Sequence, residues 1–235
     1  MTLKAPTLFR NCILWYTGEL STSDAFPIIP AGVTVTPAGT FENPLDLGNN
    51  KSIVTFNGST NYLSLADNDA WDFVNSNFSG SFWIRLGSIS QSADFLYQFQ
   101  ESSYYYLFYW NHAYNRLAIT CHEGDTYRFS YYCEPSFSTN TWYHIVIMRY
   151  NDTCIMYING ISKTITTLTA FNDSVALAGS FVIGHEAYYL NGNIKDLMIF
   201  NRTLTEAEIV EIMIHTNPAS GEGVIPGPYD YWRIG

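Results

Sequence analysis

The chain has 235 residues, 47% of them hydrophobic and only 14% charged, with 18 Tyr, 15 Phe and 6 Trp. That much apolar and aromatic side chain can build a core, which excludes disorder as a class. With 11 Lys and Arg against 21 Asp and Glu, the formal charge of -10 excludes nucleic acid and disfavours anionic membrane surfaces, which both need clustered cations.

No apolar run reaches the ~20 residues of a membrane span, so no membrane insertion is expected. The start, Met1-Thr-Leu-Lys-Ala-Pro, lacks the continuous apolar stretch of a signal peptide. The chain is therefore expected either to be mature as it stands or to reach the outside without classical secretion, as part of a released virus particle does. Residues 1–9 read as an N-terminal arm.

Residues 51–56, 61–65 and 81–86 are short β-rich runs bounded by Asn, Gly and Asp. In the third, Phe82, Ile84 and Leu86 share one face by period two, with Trp83 and Arg85 opposite. Further strands are expected at 94–100, 104–110, 115–121, 126–133, 142–149, 153–159, 181–184 and 194–200. Turns are expected at Glu123-Gly124, Asn151-Asp152, Asn159-Gly160 and Asn191-Gly192. In 142–149, Trp142, His144, Val146 and Met148 line one face and Tyr143, Ile145 and Ile147 the other, so this strand is buried on both sides.

One helix is legible at about 206–214. Thr205 and Glu208 make a capping box, Leu204 and Ile209 a hydrophobic staple, and Ile209, Ile212 and Met213 an apolar stripe. The expected fold is all-β, a two-sheet antiparallel jelly-roll sandwich over 10–215 with one short C-terminal helix. Residues 216–235 carry three prolines and no periodicity, and read as an extended arm. Its aromatic end, Tyr229, Tyr231 and Trp232, either packs back on its own domain or docks on a neighbour. Neither repeats nor a second domain are visible.

Four ordered segments carry a family resemblance. They are Phe56-Asn57-Gly58-Ser59-Thr60-Asn61-Tyr62-Leu63; Phe78-Ser79-Gly80-Ser81-Phe82-Trp83-Ile84; Thr141-Trp142-Tyr143-His144-Ile145-Val146 followed by Met156-Tyr157-Ile158-Asn159-Gly160; and Gly192-Asn193-Ile194-Lys195-Asp196 running on to Glu208-Ile209. Together they resemble the laminin-G-like branch of the concanavalin A-like lectin/glucanase superfamily, over roughly residues 10–214. The resemblance implies two sheets face to face, with one concave face and rim loops. It implies a scaffold used for binding sugars, sulfated glycans, proteins or lipids, with some glycosidases among the relatives, so fold constrains function poorly.

Glycoside hydrolysis needs two carboxylates across the scissile bond. The E-x-D-x-x-E strand pattern of the glucanase relatives is absent here. Glu206, Glu208 and Glu211 cluster on the helix, where capping and a solvated face account for them. Asp67, Asp69 and Asp72 read as a rim loop. No G-x-S-x-G occurs, and His144 falls in a core strand, while His112, His122, His185 and His215 lack metal spacing.

Cys12, Cys121, Cys133 and Cys154 allow three complete pairings. Across a two-residue hairpin loop Cys121 would face Thr126, leaving Cys133 about 23 Å further along, beyond the ~7 Å Cα limit of a disulfide. Cys154 would face Arg149. These are read as mainly buried free thiols. In many relatives Ca²⁺ sits at the rim on the acid of the F-D-G segment and an acid of the I-D-D strand. Those positions carry Asn57 and Asp196 here, with Lys195 beside them, and Ca²⁺ is the cofactor the resemblance suggests.

The run Tyr104-Tyr105-Tyr106-Leu107-Phe108-Tyr109-Trp110, followed by His112 and Tyr114, is the most unusual stretch. As one strand, Tyr104, Tyr106, Phe108 and Trp110 share a face, with Tyr105, Leu107 and Tyr109 opposite, and one set must go to the core. Three readings stand open: core with ordinary cover, a subunit contact, or a stacking platform for sugar rings. His185, Glu186, Tyr188, Tyr189 and Asn191 form a second candidate rim.

The reading is a non-catalytic surface or structural protein on the outside of a cell or virion. It would be a virion decoration, fibre or spike component mediating assembly or host-surface attachment, with a homo-oligomer or other structural subunits as partners. The alternative is a glycan-binding, lectin-like adhesion module, and a glycoside hydrolase comes third.

Overall fold

A computed structural model describes residues 12–16, 33–39, 53–69, 76–101, 104–172, 179–185 and 187–218. In chain order the strands are β1 (Cys12–Tyr16), β2 (Val35–Ala38), β3 (Ile53–Asn57), β4 (Tyr62–Leu65), β5 (Phe78–Leu86), β6 (Ala93–Glu101), β7 (Tyr104–Asn111) and β8 (Arg116–Glu123). They continue with β9 (Thr126–Cys133), β10 (Trp142–Tyr150), β11 (Thr153–Ile158), β12 (Ile161–Ser162), β13 (Thr166–Thr169), β14 (Phe181–Ile183) and β15 (Asn191–Phe200), and the helix α1 is Glu206–His215. The expected N-terminal arm, 1–9, lies outside the described residues.

The strands form two antiparallel sheets. One has seven strands in the order β1-β15-β5-β10-β11-β12, with β3 also pairing β15; the other has eight, β13-β9-β8-β7-β6-β14-β4-β2. This is the expected jelly-roll sandwich. On the free edge of β15 the partner changes along its length. β3 pairs with Asn191 to Lys195, and β1 with Leu197 to Phe200. Between them Asp196 takes φ +48, and the register against β5 slips, a bulge that lets one long strand serve two short ones.

The core fills the space between the sheets. Phe82 of β5 meets Phe95 of β6 and Phe108 of β7 edge-on at 6.2 and 5.7 Å, and those two meet each other at 5.7 Å. These T-shaped contacts bind one sheet to the other. Strand β10 is buried on both faces as its pattern predicts, because Ile145 and Ile147 enter this core while Val146 and Met148 enter a second cluster behind the sheet.

Helix α1 covers that second cluster. The Thr205 side chain accepts from Glu208 N–H, and Glu208 reaches back to Thr205 N–H. Arg202 donates to both Glu208 oxygens at 2.9 and 2.7 Å. Leu204, Ile209 and Ile212 are then buried against Val146, Met148, Met198 and Phe200.

Several expectations need correction. Asn191-Gly192 is not a turn but the first part of β15. Gly192 is required there because a Cβ would run into the Arg85 carbonyl of the adjoining strand. The β8–β9 loop is Gly124-Asp125, and a register shift puts Cys121 opposite Phe129 rather than Thr126. Cys154 does face Arg149, and all four cysteines are free thiols. Burial pushes the Cys121 thiol up to about 12 and the Cys133 thiol to about 11. Strands β1, β2, β12 and β13 carry too little period-two pattern to be read in advance.

Candidate functional site

Strand β7 resolves the aromatic run. Phe108 is 3% exposed and Trp110 1%. The Trp110 ring lies 5.2 Å from Phe137, and its Nε1–H donates to Ile89 O at 3.3 Å. Tyr106 packs against the same core and lies 5.7 Å from Phe129. Tyr104, half-buried, shares their side of the strand. The contact role expected of Tyr106, Phe108 and Trp110 is therefore overturned: this is the inner face. Period two separates the two sets but does not say which is inside; that follows from the cross-strand partners Leu96 and Ile119, which are core residues.

The opposite set, Tyr105, Leu107 and Tyr109, stands on the outer face of the eight-stranded sheet. Their neighbours on β8 are small: Tyr109 pairs with Ala118 and Leu107 with Thr120. Across β8, Ala118 pairs with Tyr132 and Thr120 with Ser130 on β9. Ala118 is 5% exposed and Thr120 3% although they lie on an outer face, so these small residues of β8 are covered by the larger side chains around them. At one end His122 stacks on Tyr105, with centroids 4.7 Å apart and planes at 13°, and meets Tyr127 edge-on at 3.8 Å. At the other, the Arg116 guanidinium lies 3.8 Å over Tyr132 and 5.1 Å from the exposed Tyr114.

The electrostatics follow from this half-burial. Burial first, then the neighbouring Tyr127 and Asp94, raises the Tyr109 hydroxyl above its ordinary value, so it stays protonated and able to donate. Burial lowers His122, against a hydrogen bond to Gly124 that favours its charged form. Arg116 Nε lies 3.6 Å from Glu134 Oε1, and Arg128 pairs with Glu123.

The loop after β14 adds a rim to this face. His185 and Tyr189 stack with centroids 3.8 Å apart and planes 2° from parallel, and Tyr62 of β4 packs 5.1 Å from His185. Asp94 of β6 ties the loop down: its Oδ2 accepts from Ala187 N–H and Tyr188 N–H, both at 2.8 Å, and its own N–H donates to Tyr188 O. Tyr188 is left 56% exposed. Because Asp94 pairs with Tyr109 in register, the rim stands at the Tyr109 end of this face. Burial lowers His185.

His185, Tyr188 and Tyr189 are thus brought together as a rim. His112 is exposed on the turn after β7, its Nδ1 3.1 Å from Ser92 Oγ, and Tyr114 flanks Arg116. Glu186 and the arm residues Tyr229, Tyr231 and Trp232 lie outside the described residues. Sequence reasoning missed Asp94, Arg116, Tyr132 and Tyr62. Their roles come from pairing across strands far apart in the chain, although small Ala118 and Thr120 amid aromatic strands were a readable hint.

The calcium expectation is corrected. Asn57 and Asp196 do not converge, since Asn57 pairs with Asn191, five positions before Asp196 on β15, or about 17 Å at strand rise. Asn57 Oδ1 caps its own turn, accepting from Ser59, Thr60 and Asn61 N–H, and Asp196 Oδ2 faces the Lys195 ammonium. Among the described residues no three His, Cys, Asp or Glu side chains gather to hold a metal. His144 sits on the other sheet, its Nε2 3.0 Å from Ser81 Oγ, and burial drives it down to about 3. Lys195 and Trp83 beside it donate to Thr216 O and Oγ1. These bonds anchor the end of α1, a structural role.

A family model described as the concanavalin A-like lectin/glucanases superfamily matches residues 57–210. No curated protein sequence matches the chain. Among solved structures, the receptor-binding domain of botulinum neurotoxin C/D mosaic serotype superposes with a TM-score of 0.68 at 16% identity, over 86% of this chain and 51% of that one. The receptor-binding domain of botulinum neurotoxin D gives 0.66 at 17%, over 88% and 53%. The serotype D ligand-binding domain in complex with N-acetylneuraminic acid gives 0.65 at 16%, over 86% and 50%. The chain therefore spans about half of each, and at this identity the likeness is one of fold.

Proposed function

The chain belongs to the concanavalin A-like lectin/glucanase superfamily, and from that premise we propose that it is a carbohydrate-binding adhesion module. The observation that carries the reading is the outer face of the eight-stranded sheet. There Leu107 and Tyr109 stand half-buried beside Ala118 and Thr120, and the adjoining rim loop leaves Tyr188 56% exposed. Aromatic faces beside hydroxyl donors suit a pyranose, which has an apolar face and a polar rim. A glycan partner is in keeping with the neighbouring domain solved with N-acetylneuraminic acid. That sugar itself is not carried over, because only half of that domain is matched.

We read the module as non-catalytic. Asp94, the carboxylate beside Tyr109, is engaged with two backbone N–H groups of the rim loop, and the helix glutamates lie behind the other sheet. An adhesion module works at an exposed surface, extracellular or on a virion. The assembly reading, with a homo-oligomer or a virion decoration, fibre or spike, draws on the aromatic arm beyond residue 218, and no described residue favours it over glycan binding. A glycan array on the intact chain tests the proposal. Saturable binding that weakens in Tyr109→Ala and Tyr188→Ala, with the melting temperature nearly unchanged, is the expected result. An intact, folded chain that binds no saccharide sinks it.

A further inference from the structure

We propose that Arg85 and Trp142, on the outer face of the seven-stranded sheet, anchor a second binding surface that takes a carboxylate side chain from an acidic segment of another protein. This surface lies on the sheet opposite the Tyr109 face and does not depend on the carbohydrate reading. Register builds it. Thr55 of β3, Asn193 of β15, Arg85 of β5 and Trp142 of β10 stand directly opposite one another across four adjacent strands. In the neighbouring row Lys195, Trp83 and His144 are buried, and the first two are tied to Thr216 at the end of α1. One step of about 7 Å along the strands, Arg85 and Trp142 are only half-buried and Thr55 is exposed.

The guanidinium is held from two sides. Its Nε–H donates to Asn193 Oδ1 at 2.9 Å, and its carbon lies 5.4 Å over the Trp142 ring. Asn193, 6% exposed, is fixed in turn by donating from Nδ2 to Thr55 Oγ1 at 2.7 Å. Both ends of a buried amide thus serve to orient one arginine. The two Nη groups are not buried and have no partner among the described residues. They form a planar fork that matches the two oxygens of a carboxylate. Charge points the same way. Arg116, Arg128, Arg149, Arg202 and Lys195 each face a carboxylate, and among the described residues Arg85 faces none. The segments that meet around it are 55–61, 85–92, 138–143 and 189–194, joined by Gly58 N–H to Leu190 O, Gly87 N–H to Asn191 O and Asn140 N–H to Leu86 O. In a chain with 21 Asp and Glu these segments hold none, and Arg85 is their one Lys or Arg. A positive field therefore persists here on an acidic protein and draws an anionic group to the fork. An open sheet face bearing an Arg–Trp pair suits a protein partner better than a small molecule, which needs an enclosing cleft.

The test is fluorescence anisotropy on the full chain with a labelled peptide in which glutamates flank a leucine. The same peptide carrying glutamine, the same carrying phosphoserine, and a labelled heparin hexasaccharide are measured beside it. We expect the glutamate peptide to bind, salt to weaken it, and the glutamine peptide to fail. Arg85→Gln should weaken binding roughly tenfold or more. Arg85→Lys keeps the charge without the fork and should recover only part of the loss, and Asn193→Ala, which frees the fork, should weaken binding less than Arg85→Gln. Melting temperatures report whether each variant is folded. Several results overturn the proposal: no glutamate-peptide binding by the folded wild-type chain, binding that survives Arg85→Gln, Arg85→Lys equal to wild type, or preference for phosphoserine or heparin. Self-association of the wild-type chain that Arg85→Gln abolishes would make a second copy the occupant and overturn it too. None of these outcomes bears on saccharide binding.

Discussion

Behind the seven-stranded sheet, Val146, Met148, Met198 and Phe200 are sealed by Ile209 and Ile212 of α1. Behind the eight-stranded sheet, Tyr105, Leu107 and Tyr109 stand half-buried beside the small residues of β8. Both outer faces are rich in large side chains, yet the chemistry differs. The covered face is mainly aliphatic, sulfur-containing and phenyl, and its polar groups, Tyr157, His144 and Lys195, are bonded to Glu206, Ser81 and Thr216. The other face is largely phenolic, and a tyrosine can leave its hydroxyl wet while its ring packs. A face of the first kind needs a covering element; a face of the second can wait for a ligand.

The largest expected effect breaks the covered side. Ile209→Ala removes the staple residue and should cost about 2–5 kcal/mol of stability, read as a fall in denaturation midpoint. An equally large loss from Tyr109→Ala would mean that the tyrosine face is structural after all, and the contrast would collapse. The second effect belongs to the tyrosine face. Tyr109→Ala should raise the Kd for a bound glycan roughly tenfold, the scale of one lost aromatic contact, while Ile209→Ala, measured well below its melting temperature, should leave that Kd unchanged.

Thr205→Ala comes next. Loss of this cap should destabilise by about 1 kcal/mol, with part of the loss recovered by Thr205→Ser; no recovery would put the effect on packing instead of the capping bonds. The smallest effect at neutral pH sharpens the comparison through two histidines. Burial lowers His144 from 6.5 to about 3. Between those values the unfolded chain holds a proton that the folded one does not, so stability falls as pH drops through that window. His144→Gln should flatten the dependence of unfolding free energy on pH there by up to one proton. The half-buried His122, lowered less, should change it less when replaced. Equal slopes for the two variants would contradict the placement of His144 on the sealed face.

The parts legible in advance were those carried by neighbours in sequence. Thr205 and Glu208 are three apart and cap one helix; Asn159 and Gly160 take positive φ, +51 and +73, in the hairpin turn their identity demands. Strand β10 declared two buried faces because from Trp142 to Met148 only His144 interrupts the apolar residues on either side. Asn191-Gly192 misled for the converse reason. An Asn-Gly pair favours a turn locally, but here glycine serves the close passage of Arg85 on β5, more than a hundred residues earlier in the chain. The pair Asn57 and Asp196 misled likewise, since whether the two residues meet depends on register between β3 and β15.

The sequence by itself determined the sandwich, the helix that covers one sheet, the acidic charge, and that one of two aromatic sets on β7 had to be buried. Only the tertiary structure decided which set that is, and that Tyr109, Ala118, Tyr132 and Asp94 stand side by side. Alternation, capping and turn preference act over a few residues and are written in adjacent letters. A binding face is assembled across strands, and its neighbours are chosen by register, which every core contact of both sheets sets together.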